Sequence, residues 1–279
     1  MVDRALVLGG GGVTGVAWEL GMLAGLAEHG VDLSGADLVV GTSAGALVGA
    51  QLTSGVPVEE LYETQLTGYG DEVAGRFGGW LIARSMWAVA GRPARTGRMR
   101  LGRLALAAPP EHEALWRTAI GTRLPVHTWP DRRLLITAVD AETGEFVAFD
   151  SDSGASLVDA VAASCAVPGV WPPVTFQGRR WMDGGTRSPA NADLAAGSDR
   201  VVILAPIPRG FTRRSGVAAQ AAELAGHGSV VTIAPDRDAR RVIGRSLLDP
   251  ARRAPAARAG RAQAATVAAD VERVWSDGR

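Results

Sequence analysis

Twice in its first 52 residues the chain runs through an apolar strand, a glycine-bearing turn and a helix. Ala5 to Leu8 reads as a buried strand and ends in Gly9-Gly10-Gly11-Gly12. A helical pattern follows from about Gly15 to Glu28, with Val16, Leu20, Leu23 and Leu26 at helical spacing. Gly30 is placed to end it. Asp37 to Val40 reads as the second strand, leading through Gly41-Thr42-Ser43-Ala44-Gly45 into a helix over Ala46–Leu52. Strand, helix, strand, helix at this spacing calls for an α/β fold with a mainly parallel central sheet flanked by helices.

Val58 to Leu66 continues in helical register. From about 71 to 130 the chain reads as helix or loop, with Trp80, Met86, Trp87, Trp116 and Trp129 scattered among arginines. The sheet resumes at Arg133 to Val139, turns at Glu142-Thr143-Gly144 and returns through Phe146 to Phe149. Leu157 to Ala163 is a short helix. Pro168, Pro172 and Pro173 precede a hairpin of Val174–Phe176 and Arg180–Met182, turning at Gln177-Gly178. Val201 to Leu204 and Val230 to Ile233 are later buried strands, and the Ala- and Arg-rich tail from about Pro250 is expected to be helical. No internal repeat or linker divides the chain. The expectation is one domain over 1–279, with its motif-bearing part over 5–205, a helical lid-like insertion over 71–130 and a C-terminal helix over 250–279.

Composition narrows the function classes. Hydrophobic residues make up 47% of the 279, enough for a sizeable core and against disorder. The formal net charge of zero argues against non-specific nucleic-acid binding. Every cation is Arg, a compositional bias rather than a phosphate-binding device. Cys165 is the single cysteine, which excludes an intrachain disulfide and a Cys-based metal site and suits a reducing compartment. The N-terminus lacks the pattern of a signal peptide, and no apolar run reaches the ~20 residues a spanning helix needs. The expectation is a cytoplasmic protein without metal or cofactor.

Ser43 sits where a sharp strand-to-helix turn exposes a hydroxyl at the end of a sheet, with glycines on either side to let strand and helix close on it. The helix N-terminus adds a positive partial charge beside the oxygen. An ordinary tight turn would carry the same string. The run Gly9 to Gly15 converges backbone N–H groups on one point, which suits either a phosphate or the oxyanion of an acyl intermediate. Gly10-x-Gly12-x-x-Gly15 matches the dinucleotide fingerprint, but that fingerprint wants a carboxylate at the end of the next strand. Here that strand runs into Ser43 with none, so the oxyanion reading is preferred. Asp183-Gly184-Gly185 leaves the sheet through two glycines and reads alone as a β-turn. Beside a nucleophile without an assigned base, it becomes a candidate general base. An Asp near its ordinary pKa of about 3.9 is a weak base for a hydroxyl, so it needs an apolar setting, to which Trp171, Trp181 and Met182 could contribute. The order Ser43, Asp183, His227 also matches a Ser-Asp-His triad. His29, His112 and His127 look structural.

These blocks together resemble the patatin-like phospholipase family. The glycine loop resembles its oxyanion-hole block, and Gly41–Gly45 its nucleophile elbow. Ala166-Val167-Pro168-Gly169-Val170-Trp171-Pro172-Pro173 resembles the Pro-rich segment before its second catalytic block. Asp183-Gly184-Gly185, with Asn191 and Asp193 after it, resembles its Asp-Gly-Gly/Ala block. The blocks stand in family order from about residue 5 to 196. The resemblance implies a three-layer sandwich and a Ser–Asp dyad, with Ser43 as nucleophile, Asp183 as general base and the amides of Gly10, Gly11 and Gly12 as oxyanion hole. Gly15, Gly41, Gly45, Gly184 and Gly185 would support those turns, and His227 would not be needed. The implied substrates are fatty-acyl esters of glycerolipids, with transient contact at a membrane surface and no cofactor. A non-hydrolytic binder of acyl groups or nucleotides is the alternative. The family usually carries Arg or Lys at the position of Thr14, where a cation would support the loop or a phosphate headgroup. The Trp- and Arg-bearing insertion reads either as a lid at a lipid boundary or as helices packed into the core.

Overall fold

The computed structural model describes residues 3–69 and 92–276. In chain order the elements are β1 (Arg4–Leu8), α1 (Gly12–Glu28), β2 (Leu38–Gly41), α2 (Ala44–Leu52), α3 (Val58–Thr67), α4 (Ala94–Ala105) and α5 (Glu113–Gly121). They continue as β3 (Arg133–Asp140), β4 (Phe146–Phe149), α6 (Leu157–Ser164), β5 (Val174–Phe176), β6 (Arg179–Asp183) and β7 (Arg200–Leu204). The last four are α7 (Val217–Leu224), β8 (Ser229–Ile233), α8 (Arg237–Ile243) and α9 (Arg253–Trp275).

The strands form one sheet of eight, ordered β5-β6-β3-β2-β1-β7-β8 with β4 also on β3. The β3-β2-β1-β7-β8 part is parallel, while β4, β5 and β6 add antiparallel pairs. Alternation along the strands loads both faces with apolar side chains, as a parallel sheet covered on both sides requires. Leu6, Leu8 and Val39 face one way and pack with α1, α2, α6 and α9. Ala5, Val7, Leu38 and Val40 face the other way and pack against Ala190, Ala192 and α7. A smaller cluster joins Leu101 and Ala105 of α4 to Val139 and Met182. α9 lies along α1, where the Trp18 indole N–H donates to Gln263 Oε1 at 3.1 Å.

The pairing of β3 explains how distant parts of the chain meet. Ile136 pairs with Gly41 of β2 and with Phe149 of β4, so β2 and β4 flank opposite edges of β3. Ala138 pairs with Val147 of β4 and with Asp183 of β6, so β6 also lies opposite β4. β2 and β6 therefore share one edge of β3 and approach each other head to head. Ser43 is two residues past Gly41, and Ala138 is two past Ile136. The register brings Asp183 level with the Ser43 turn.

Sequence and structure agree on most elements. The hairpin turns where expected, with Gln177 at φ 52° and Gly178 at φ 70°, the paired left-handed residues a two-residue hairpin favours. The insertion contributes α4 and α5 over residues 92–130, whereas Trp80, Met86 and Trp87 lie outside the described residues. Helices α7 and α8 were not foreseen. No helix among the described residues is long and apolar enough to cross a membrane.

Candidate active site

Ser43 connects β2 to α2 with φ 54° and ψ −116°, a backbone region that a non-glycine residue enters at a cost of about 1–3 kcal/mol. The surroundings hold it there. Gly45 donates its N–H to Gly9 O at 3.0 Å, and a Cβ on Gly45 would overlap the Leu8 carbonyl. A Cβ on Gly41 would stand 2.6 Å from Ala46 Cα. The Ser43 N–H donates to Ser164 Oγ at 2.9 Å, and the Cys165 thiol donates to Ser43 O at 3.1 Å. Two consecutive residues at the end of α6 thus clasp both backbone groups of the strained serine. No sequence motif signalled this role for Ser164 and Cys165. Burial, reinforced by the Asp183 charge, pushes the Cys165 thiol well up, so it remains a donor rather than a thiolate.

The glycine loop lies against this turn. A Cβ on Gly10 would be 3.4 Å from Ser43 Cβ, and Gly15 packs against Ala44. Gly9 donates to Leu204 O at 2.9 Å and Gly10 to Pro189 O at 2.7 Å. This corrects the expectation for Gly10: its amide is already engaged by the segment after Asp183. The Gly11, Gly12 and Val13 N–H groups at the start of α1 have no backbone acceptor among the described residues. Thr14, where a cation was expected, gives its N–H to Leu247 O at 3.1 Å, with its hydroxyl 3.4 Å from the same oxygen.

Asp183 ends β6, buried to 5% exposure. Its N–H donates to Ala166 O at 3.0 Å, and its Oδ1 accepts from the Gly185 N–H at 2.7 Å. Burial raises its carboxyl from the ordinary value to about 7, opposed by hydrogen bonds from the Ser43 hydroxyl and the Gly185 amide. Trp171, Trp181 and Met182 each have apolar partners of their own. Trp181 packs on Phe149 and Phe176, Met182 joins Leu101 and Val139, and Trp171 stacks on Trp116 with centroids 4.2 Å apart. Leu101, Val167 and Pro168 instead line the space that Asp183 faces.

Asn191 ties the two loops together. It is fully buried in a left-handed conformation at φ 49°. Its Nδ2 reaches Thr42 Oγ1 at 3.0 Å beside the serine, and Gly184 O at 3.3 Å beside the aspartate. A Cβ on Gly184 would strike Thr137, so only glycine lets β6 leave β3 at that point.

Ser43 borders two cavities. One, of about 430 Å³, also reaches Asp183 and Gly10–Gly12 and is walled by Leu101, Val167, Ile207, Phe211 and Leu247. The other, of about 60 Å³, is walled by Trp116, Ile120, Trp171 and Leu47, with Arg123 and Arg253 at its border. His227 is exposed and precedes the first residue of β8. Since β8 runs parallel to β1 and β2, His227 lies at the sheet edge opposite Ser43, which removes the triad. His127 Nε2 donates to Gly121 O at 2.9 Å, and His29 and His112 are exposed. Among the described residues no group of three or more His, Cys, Asp or Glu could hold a metal ion.

Comparison with known proteins adds the following. The model of the patatin-like phospholipase family matches residues 6–196. Among solved structures, VipD from Legionella pneumophila is 16% identical, with a TM-score of 0.49, over 97% of this chain and 67% of that one. The type III effector protein ExoU is 20% identical, with a TM-score of 0.45, over 97% of this chain and 54% of that one. The chain thus spans about half the length of ExoU.

Proposed function

The chain belongs to the patatin-like phospholipase family, and from that premise we propose that it is a serine acyl hydrolase, cleaving fatty-acyl esters of lipids through Ser43 and Asp183. The observation that carries this reading is geometric: Ser43, in a strained turn, and the buried Asp183 line one cavity, where burial raises the carboxyl to about 7. An Asp with a pKa near neutrality is half ionised at working pH and basic enough to accept a proton in the transition state.

In the proposed cycle, Ser43 Oγ attacks the ester carbonyl carbon while its proton passes to Asp183. The carbonyl π electrons move to oxygen, and that oxyanion is held by the Gly11 and Gly12 N–H groups at the positive end of α1. The intermediate collapses, the bond to the alcohol oxygen breaks, and Asp183 returns the proton to the leaving alkoxide. Water then attacks the acyl-serine with Asp183 again as base, and the fatty acid departs as Ser43 regains its proton. One well-placed amide donor is worth about 10²–10³ in rate, which makes the glycine loop as important as the base. Preorganisation of Ser43 by Ser164 and Cys165 supports the same reading, because attack requires a fixed oxygen.

A dinucleotide in the glycine loop is disfavoured, since β2 ends in Val39-Val40-Gly41 with no carboxylate for the ribose. The 430 Å³ apolar chamber matches a fatty-acyl group better than a sugar or nucleotide. We take the chain as one acyl-hydrolase unit, with α9 bracing the helix that carries the oxyanion loop.

A fluorophosphonate probe is expected to label the protein at Ser43, and Asp183→Asn to lose at least 10²-fold in ester turnover. Labelling that persists in Ser43→Ala would refute the assignment of the nucleophile.

A further inference from the structure

A strap bearing Leu247 and Leu248 lines the site although it lies outside the family-matched region 6–196. Leu247 O accepts from the Thr14 N–H, which seats this strap on the glycine loop. The contact is close: a Cβ on Gly12 would come within 2.7 Å of Leu248 Cδ2 and 2.8 Å of Leu247 O. Thr14 suits this arrangement. A long cationic side chain would compete for the space that the strap fills, whereas a threonine hydroxyl sits beside the same carbonyl.

Leu248 has a second property. The two cavities beside Ser43 share four lining residues: Gly12, Ser43, Val167 and Leu248. Gly12 contributes backbone and Ser43 the reacting hydroxyl, so the wall between the cavities is built from Val167 and Leu248. Leu247 borders only the larger cavity. The smaller one, at about 60 Å³, is too tight for a second fatty chain.

We infer that Leu248 is a specificity-determining residue: it walls the tight aromatic compartment from the acyl chamber, and so restricts the enzyme to linear acyl groups. This rests on the hydrolase reading above. A linear chain leaves the carbonyl carbon in one direction and fills the 430 Å³ chamber. A group branched at the α-carbon leaves in two directions, and its second arm meets Leu248. Removing the leucine side chain joins the compartments and gives that arm a place. Enlarging it closes the wall further.

The test measures kcat/KM for p-nitrophenyl hexanoate and p-nitrophenyl 2-ethylhexanoate on wild type, Leu248→Ala and Leu248→Trp, with fluorophosphonate labelling of each. Discrimination by an apolar wall of this size is worth about 10-fold or more. Leu248→Ala is expected to raise the branched-to-linear ratio at least that much, and Leu248→Trp to leave it at or below the wild-type value. A labelled, folded Leu248→Ala with an unchanged ratio, or a wild type that takes both esters equally, overturns the inference while leaving the hydrolase intact. Absence of Ser43 labelling and of ester turnover in wild type overturns the hydrolase reading and this inference with it. A Leu248→Ala protein that melts below the assay temperature moves the decision to Leu248→Trp. A branched-to-linear ratio at or below the wild-type value supports the wall, and a rise refutes it.

Discussion

Asp183→Asn should remove activity and yet stabilise the protein, by an amount that depends on pH. The carboxyl is raised from 3.8 to about 7 in the folded chain. In the unfolded chain it titrates near its ordinary value of about 3.9. The sign follows from proton counting. Between about pH 4 and pH 7 the folded protein keeps this proton while the unfolded chain has lost it, so stability falls as pH rises. Above pH 7 both states are ionised, and the loss is complete. At about 1.4 kcal/mol per pH unit, the full window of about 3 units costs roughly 4 kcal/mol. Asparagine cannot ionise, and its Oδ1 can still accept the Gly185 N–H. The variant therefore escapes a cost that grows by roughly 3 kcal/mol between pH 5 and pH 8. In a chain of this size that corresponds to roughly 6 to 12 °C of added melting-temperature difference. The assay is thermal unfolding of wild type and Asp183→Asn at pH 5, 6, 7 and 8, with the pH profile of kcat/KM for wild type beside it. Activity should rise with unit slope through about pH 7, as the base loses its proton. A melting difference that is flat over this range would refute the claim that Asp183 is held unionised by burial. So would an activity limb below pH 5.

Two further outcomes follow from the geometry. Ser164→Ala leaves the buried Ser43 N–H without its acceptor, which should cost about 1–3 kcal/mol of stability. It should also lower kcat more than it raises KM, because the substrate does not touch Ser164; equal effects on both would argue against a positioning role. His227→Ala, at the far edge of the sheet, should retain activity within about two-fold and stability within ~0.5 kcal/mol, readable by ester turnover and melting.

What the sequence made legible is local. Leu6 and Leu8 alternate with Ala5 and Val7, and the glycines after Leu8 and around Ser43 mark tight turns. A reader of the chain can therefore place both loops at one sheet edge. Gln177-Gly178 announces its hairpin for the same reason. What stayed hidden depends on partners far apart in sequence. Gly10 looks like a free donor until Pro189, 179 positions later, takes its N–H. Ser164 has no motif that points at Ser43, 121 positions away. The raised carboxyl of Asp183 comes from burial beside a cavity that Leu101, Val167 and Pro168 also line, none of them adjacent to it in sequence. Thr14 read as a missing cation because its partner, Leu247, is supplied by a part of the chain with no recognisable pattern.

The head-to-head approach of β2 and β6 has a mechanical consequence. The ladder bonds of both strands run sideways to β3, across the line that joins Ser43 to Asp183. Shortening or lengthening that line would slide a strand along β3, against its ladder bonds and its register. A sheet resists such shear, so β3 sets the spacing of the two strand ends that it pairs with. The separation of the two residues is thus held by a common strand, and again by the contacts from Thr42 through Asn191 to Gly184. In the proposed cycle the proton moves between two side chains whose spacing is set by one shared strand.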